Sequence, residues 1–355
     1  MIRNWLILFG LIALSSCEDD LNRVGQSRSA ATTSEWLIPL NSVFDGGPGR
    51  DGIPSLTSPD RIMASQAGYI LEPELVIGYY DGETAIAYPH HILDWHEIVN
   101  ETVDGFPMAI TYCPLTGTGV GWDRTIDGSE TEFGVSGLLY NNNLIPFDRS
   151  TTSNWTQIGL QSVNGSRIGT RIETFQVVET RWSTWREMFP DTEVVSLETG
   201  FDRPYGTYPY GDYRTNHDNI GFPLTRDDRR LNRKERVHGL IINEQAKVYQ
   251  FSSFIDGNVI EDSFQSEDVI VVGNRARNFM VSFYAALEDG KRPSFTYIND
   301  GRAIMEDDFG NKWDIFGYAI SGPDQGDRLT PTEHFMGFWF SWGAFYPDIE
   351  IYEEE

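Results

Sequence analysis

Ile110-Thr111-Tyr112-Cys113-Pro114-Leu115-Thr116-Gly117-Thr118-Gly119-Val120-Gly121-Trp122 is the stretch from which the rest of the chain is read. The apolar run Met108 to Tyr112 has the character of a buried strand. It delivers Cys113 into a turn of Pro, Gly and Thr, and alternation resumes at Val120 and Trp122. A strand, a tight turn and a second strand set the expectation of a β protein, and they place a thiol at a strand end, where chemistry commonly sits.

Working outward, composition agrees. Aromatics make up 13% of the 355 residues and glycine supplies 34, with few stretches of helical period. The expected class is therefore mainly β with a few short helices. The formal charge of −26 argues against nucleic acid, because a phosphate backbone needs a basic stripe to release its counterions. The cluster Arg226, Arg229, Arg230, Arg233, Lys234 and Arg236 is interleaved with Asp227, Asp228 and Glu235, and reads as a solvated mixed-charge segment.

At the N-terminus Arg3 provides a positive region and Trp5 to Leu14 an apolar one. Leu14-Ser15-Ser16-Cys17 matches the lipobox of bacterial lipoproteins. Residues 1–16 are then a signal peptide and Cys17 carries the lipid, so the mature chain is held on a membrane of the cell envelope, at its periplasmic face or at the cell surface. Glu18-Asp19-Asp20 resembles the acidic tag of some surface lipoproteins. With Cys17 lipidated, Cys113 has no partner for a disulfide in the chain. A lone exported thiol is either a working group or a small buried hydrophobe.

Residues 17–35 read as a flexible tether and 36–73 as a loop-rich extension. Beyond them the chain resembles itself. Val76, Gly78, Glu83, Ala85, Tyr88 and Val120 recur 161 positions later as Val237, Gly239, Glu244, Ala246, Tyr249 and Val281. With a small drift in register, Trp155 and Gly159 return as Trp313 and Gly317, and Trp182, Trp185, Pro190, Asp191 and Glu193 as Trp339, Trp342, Pro347, Asp348 and Glu350. Two tandem copies of one β-rich unit, 74–197 and 235–355, are expected, joined by a Tyr/Asp/Arg-rich linker over 198–234. In the first copy helices are expected at Ile92 to Glu101, with Trp95 facing the core and His96 at its edge, and after an N-cap at Ser183.

Differences between the copies filter for function. Cys113 falls on Asn274, and His90, His91 and His96 fall on Phe251, Ser252 and Gly257, so the candidate chemistry belongs to the first copy alone. Half of the six histidines lie between 90 and 96. An imidazole beside Cys113 would lower the thiol pKa, or would join it as a ligand for copper or zinc. Cys113-Pro114-Leu115-Thr116 has the spacing of a redox Cys-x-x-Cys motif with a hydroxyl in the second place, and Thr116 is suited to hydrogen-bonding a thiolate.

The runs Ala87-Tyr88-Pro89, His96-Glu97-Ile98-Val99-Asn100, Thr111-Tyr112-Cys113-Pro114-Leu115, Gly134 to Tyr140, Phe147-Asp148-Arg149 and Asn154-Trp155-Thr156-Gln157 resemble the DUF3179 family over about 70 to 352. The resemblance brings kinship without an established activity. Members often carry Cys-Pro-Leu-Cys at this site, which implies redox or soft-metal use of the motif. Thr116 replaces the second cysteine here, so dithiol exchange within the chain is lost.

Two function classes follow. One is a thiol-redox or copper-handling protein using Cys113 and Thr116, with His96, His90 or His91 as tuner or ligand, and Glu97, Asp148, Arg149, Trp155 and Gln157 in support. The other is a non-catalytic envelope module that binds a glycan or peptide through exposed aromatics of Tyr205 to Tyr213, with Cys113 structural.

Overall fold

The strand Leu75–Tyr80 pairs antiparallel with Ala85–Pro89, placing Gly78 opposite Ala87. The turn between them is set by Asp81, whose Oδ1 accepts the amides of Glu83 and Thr84 at 3.0 and 2.8 Å. Outside this hairpin lie Val178–Arg181 on one side and, parallel to Ala85–Pro89, Glu193–Val195 on the other. The helix Trp182–Met188 follows the outer strand and lays Trp185 over Gly78, where a Cβ would stand 2.1 Å from the indole. Glycine is required at 78 for that approach.

This computed structural model describes residues 35–287 and 289–354. Within them the chain is mostly strand with three short helices, as the sequence leads one to expect. The signal segment, the Cys17 anchor and the tether up to residue 34 lie outside the described residues.

The second half repeats the order of the first. Glu333–Phe338, Arg236–Ile242, Gln245–Gln250 and Glu350–Ile351 form a sheet whose last pair is again parallel. The helix Trp339–Phe345 there lays Trp342 over Gly239, 2.2 Å from where a Cβ would be. The meander Ile98–Val103, Phe106–Cys113, Thr118–Asp123 has its counterpart in Asn258–Phe264, Glu267–Asn274, Phe279–Tyr284. Phe133–Tyr140 through Gln161–Asn164 is matched by Phe295–Asp300 through Ala319–Ser321. A buried Asp–Trp pair recurs too: Trp155 Nε1 donates to Asp148 Oδ2 at 3.1 Å, and Trp313 Nε1 to Asp307 Oδ2 at 3.0 Å.

The halves share their interiors. Val76, Ala87, Trp182 and Trp185 pack in one core with Val281, Phe283, Trp313 and Phe316. Ile98, Trp122 and Trp155 pack in another with Val237, Trp339 and Trp342. From Trp36 onward the chain is accordingly one compact unit. The extension joins it through short strands, Val43–Asp45 beside Phe133–Tyr140, Leu56–Thr57 beside Ile98–Val103 and Arg61–Met63 beside Glu193–Val195.

Two local expectations need correction. The first helix covers His90–His96 and stops at Glu97, whose φ of 57° is left-handed. Ile98 and Val99 then pair with Thr111 and Ile110, since β-branched residues gain more from a sheet than from another helical turn. Its faces are also reversed, with His96 buried and Trp95 partly exposed. In the second helix Arg181, not Ser183, occupies the N-cap, with no side-chain hydrogen bond.

Candidate functional site

Cys113 closes the strand Phe106–Cys113 and faces Thr118 across the turn. Its side chain is 1% exposed, with Sγ 3.6 Å from the Asn142 carbonyl. Burial, reinforced by the nearby Glu97 carboxyl, pushes the thiol up to about 11, and hydrogen bonds from Thr116 and the Leu144 amide do not reverse this. The expectation of a depressed, nucleophilic thiol is therefore turned around: at neutral pH the group is a protonated, buried SH.

Thr116 and Gln157 do stand at the turn, in a buried polar network. Asn143 Nδ2 donates to Thr116 Oγ1 at 3.0 Å and to Gln157 Oε1 at 2.7 Å, while Gln157 Nε2 donates to Thr111 Oγ1 at 3.0 Å and to the Thr118 carbonyl at 3.1 Å. Every lone pair so used fixes the turn, which makes these residues its scaffold.

The histidines are committed elsewhere. His96 Nδ1 lies 2.7 Å from the Pro54 carbonyl and Nε2 2.6 Å from the Tyr205 hydroxyl. His90 Nε2 is 3.3 Å from Glu179, and burial, with Arg214, Arg236 and His91 nearby, holds the ring neutral, so the contact is not an ion pair. His91 Nδ1 is 3.7 Å from Glu74. Cys113, His90, His91 and His96 do not converge as copper or zinc ligands, and among the described residues no group of three or more His, Cys, Asp or Glu is arranged to hold a metal ion.

Asp148 and Arg149 are also placed apart from the thiol's partners. Asp148 accepts from Trp155, Thr151 and Ser150, which hold its carboxyl below the usual range despite its burial. Arg149 pairs with Asp51 at 2.8 Å on the surface. With Trp155 they build the turn at 148–154.

What lies beside Cys113 is a cleft of about 440 Å³. Its walls are apolar, among them Ile53, Trp95, Leu115, Leu139 and Phe222, and its formal charges are two carboxyls, Asp94 and Glu97. The segment 198–234, without helix or strand, forms one wall. It is strapped on through its aromatics: Tyr208 OH donates to the Pro114 carbonyl at 3.4 Å, Tyr210 OH to Glu97 Oε1 at 2.8 Å, and Trp95 Nε1 to the Thr207 carbonyl at 3.0 Å. Lys234 pins the strap from behind by donating to the carbonyls of Tyr213 and Asn216. The tyrosines from 205 to 213 are thus half-buried or buried and hydrogen-bonded inward, which corrects the expectation of an exposed aromatic platform.

Glu97 is the unusual residue of the cleft. Its amide closes the helix on Leu93 at 2.8 Å and its carbonyl accepts from Tyr112 at 2.7 Å, tying the helix end to the strand that leads into Cys113. A left-handed φ favours glycine, a carboxylate at a helix C-terminus opposes the dipole, and burial at 6% exposure disfavours its charge. Burial pushes Glu97 up to about 7, against the hydrogen bond from Tyr210 and with help from Asp94. Three penalties at one side chain point to a use for the carboxyl. Asp94, 4% exposed, is raised to about 6 by burial against the pull of Arg214, whose Nη2 donates to Oδ2 at 2.7 Å.

Nothing in the sequence singles out Asp94, Asn143 or Arg214 as site residues, and Tyr210 stands there only as one of the aromatics of 205–213. Asn141-Asn142-Asn143, a polar run in an apolar neighbourhood, was the one local signal of the network.

No curated protein matches the chain, and no solved structure does. The family described as "Protein of unknown function (DUF3179)" matches residues 50–349, the hairpins, the Cys113 turn and both tryptophan-bearing helices included. The chain belongs to the DUF3179 family.

Proposed function

We propose that this chain is an envelope-anchored binding protein, which takes a small, largely apolar ligand into the cleft above the Cys113 turn. The observation that carries the reading is the cleft with a buried, left-handed Glu97 in its wall. A volume of about 440 Å³ falls in the range of small-molecule sites, and such sites combine apolar walls with a few polar groups. The thiol-redox or copper reading has less support, because Cys113 is inaccessible and its pKa is raised. Anchoring is proposed from the lipobox ending at Cys17, and duplication of one β unit from the 161-residue offset together with the shared strand order.

The test is titration with pyrene, a neutral apolar fluorophore, on the wild type and on Ile53→Trp, which fills the cleft from the side of the extension. Saturable binding at one site, lost in the variant, is expected. Absence of saturable binding, or equal binding to a folded Ile53→Trp, would overturn the reading.

A further inference from the structure

Asp94 and Glu97 lie three positions apart at the end of the helix His90–His96, and both line the same apolar cleft. Among the described residues no lysine, arginine or histidine lines it. Arg214 pairs with Asp94 Oδ2 while standing over the Tyr208 ring at 3.6 Å, and Asp94 Oδ1, fully buried, has no hydrogen-bond partner. Among the described residues the Glu97 carboxyl receives a hydrogen bond from Tyr210, and no arginine or lysine pairs with it. Two carboxyls thus stand in a wall that includes Ile53, Leu115, Leu139 and Phe222, and the one guanidinium near them pairs with Asp94 alone.

We infer that the cleft binds an amphiphilic amine, with its ammonium nitrogen between Asp94 Oδ1 and the Glu97 carboxyl and its aliphatic or aromatic body against the apolar wall. This rests on the cleft being a ligand site. An ammonium supplies the missing positive charge and the donors that Asp94 Oδ1 and Glu97 lack, and charge-assisted hydrogen bonds of this kind gain strength where water is excluded. A carboxylic acid would add a third negative charge. An alcohol would supply one donor and leave the charge unbalanced. A bare metal ion would find two carboxyls, and among the described residues no group of three or more His, Cys, Asp or Glu is arranged to hold one.

Binding is also linked to protons. The groups around Glu97 are Asp94 on its own helix, Cys113 from the strand end, and Tyr210 and Tyr213 from the strap, with Tyr208 and Arg214 beside Asp94. Below about pH 7 the Glu97 carboxyl carries a proton, and docking the ammonium displaces it to solvent.

The experiment is calorimetric titration with 4-phenylbutylamine, 4-phenylbutanol and 4-phenylbutyrate at pH 8 and pH 6, on the wild type and on Glu97→Gln and Asp94→Asn. The expected result is that the amine binds tightest at pH 8 and roughly tenfold more weakly at pH 6, with a proton released at the lower pH. In either variant the preference for amine over alcohol should fall by about tenfold or more. Alcohol or acid binding as tightly as the amine at pH 8 would overturn the amine assignment while leaving the cleft a ligand site. If none of the three binds while pyrene does, the amine assignment falls and the cleft stays a ligand site; if pyrene fails, the cleft reading falls and this inference with it.

Discussion

Replacing Glu97 by glutamine should make the protein more stable at pH 8, although it removes a side chain from the centre of the proposed site. In the folded chain burial raises this carboxyl from about 4.5 to about 7. Between those values the folded state holds a proton that the unfolded state has released, so stability falls as pH rises through the window and the full penalty stands above it. That rise, at about 1.4 kcal/mol for each tenfold change in proton affinity, gives a penalty on the order of 2–4 kcal/mol at pH 8. Glutamine keeps an acceptor for the Tyr210 hydroxyl and carries no charge to bury. The assay is urea unfolding of both proteins at pH 8 and at pH 4.5. The midpoint of Glu97→Gln should exceed that of the wild type at pH 8 and approach it at pH 4.5, with unchanged slope. A variant less stable at pH 8, or shifted equally at both values, would refute the buried-charge argument.

Gly78→Ala should cost about 1–3 kcal/mol or more, because its Cβ would press on the Trp185 ring at 2.1 Å; urea midpoints measure it, and a neutral effect would contradict the packing of that helix on the hairpin. Cys113 in the folded protein should resist iodoacetamide up to pH 9 and react only as fast as the chain unfolds, followed by mass spectrometry; rapid modification with a midpoint below about 8.5 would revive the thiol as a working group. Cys17→Ser should release the protein from membranes into the soluble fraction, and a variant that is still processed and membrane-bound would end the lipoprotein reading.

Much of the frame was legible in the sequence, for physical reasons that can be named. Trp185 on Gly78 and Trp342 on Gly239 are large rings that need a missing side chain beneath them, so both members show as identities between the halves, with a small drift in register from the glycines to the tryptophans. The strands around Cys113 are marked by β-branched runs and by Pro and Gly punctuation. The site was legible only in part. Its helix ends at Glu97 because Tyr112, 15 positions on, takes the Glu97 carbonyl, and no local propensity encodes that bond. The strap is held by pairs such as Tyr210 with Glu97, 113 positions apart, in a segment that has no period to read. The histidines drew attention as soft ligands, yet tertiary contacts with Pro54, Tyr205 and Glu179 decide what each one faces.

The most direct measurement is the titration of the Glu97 carboxyl itself, by ¹³C NMR on glutamate-labelled protein with the resonance assigned by its loss in Glu97→Gln. A midpoint near 7 is expected in the free protein, moving to lower pH when 4-phenylbutylamine is bound. A midpoint near the ordinary 4.5, unchanged by the amine, would contradict it.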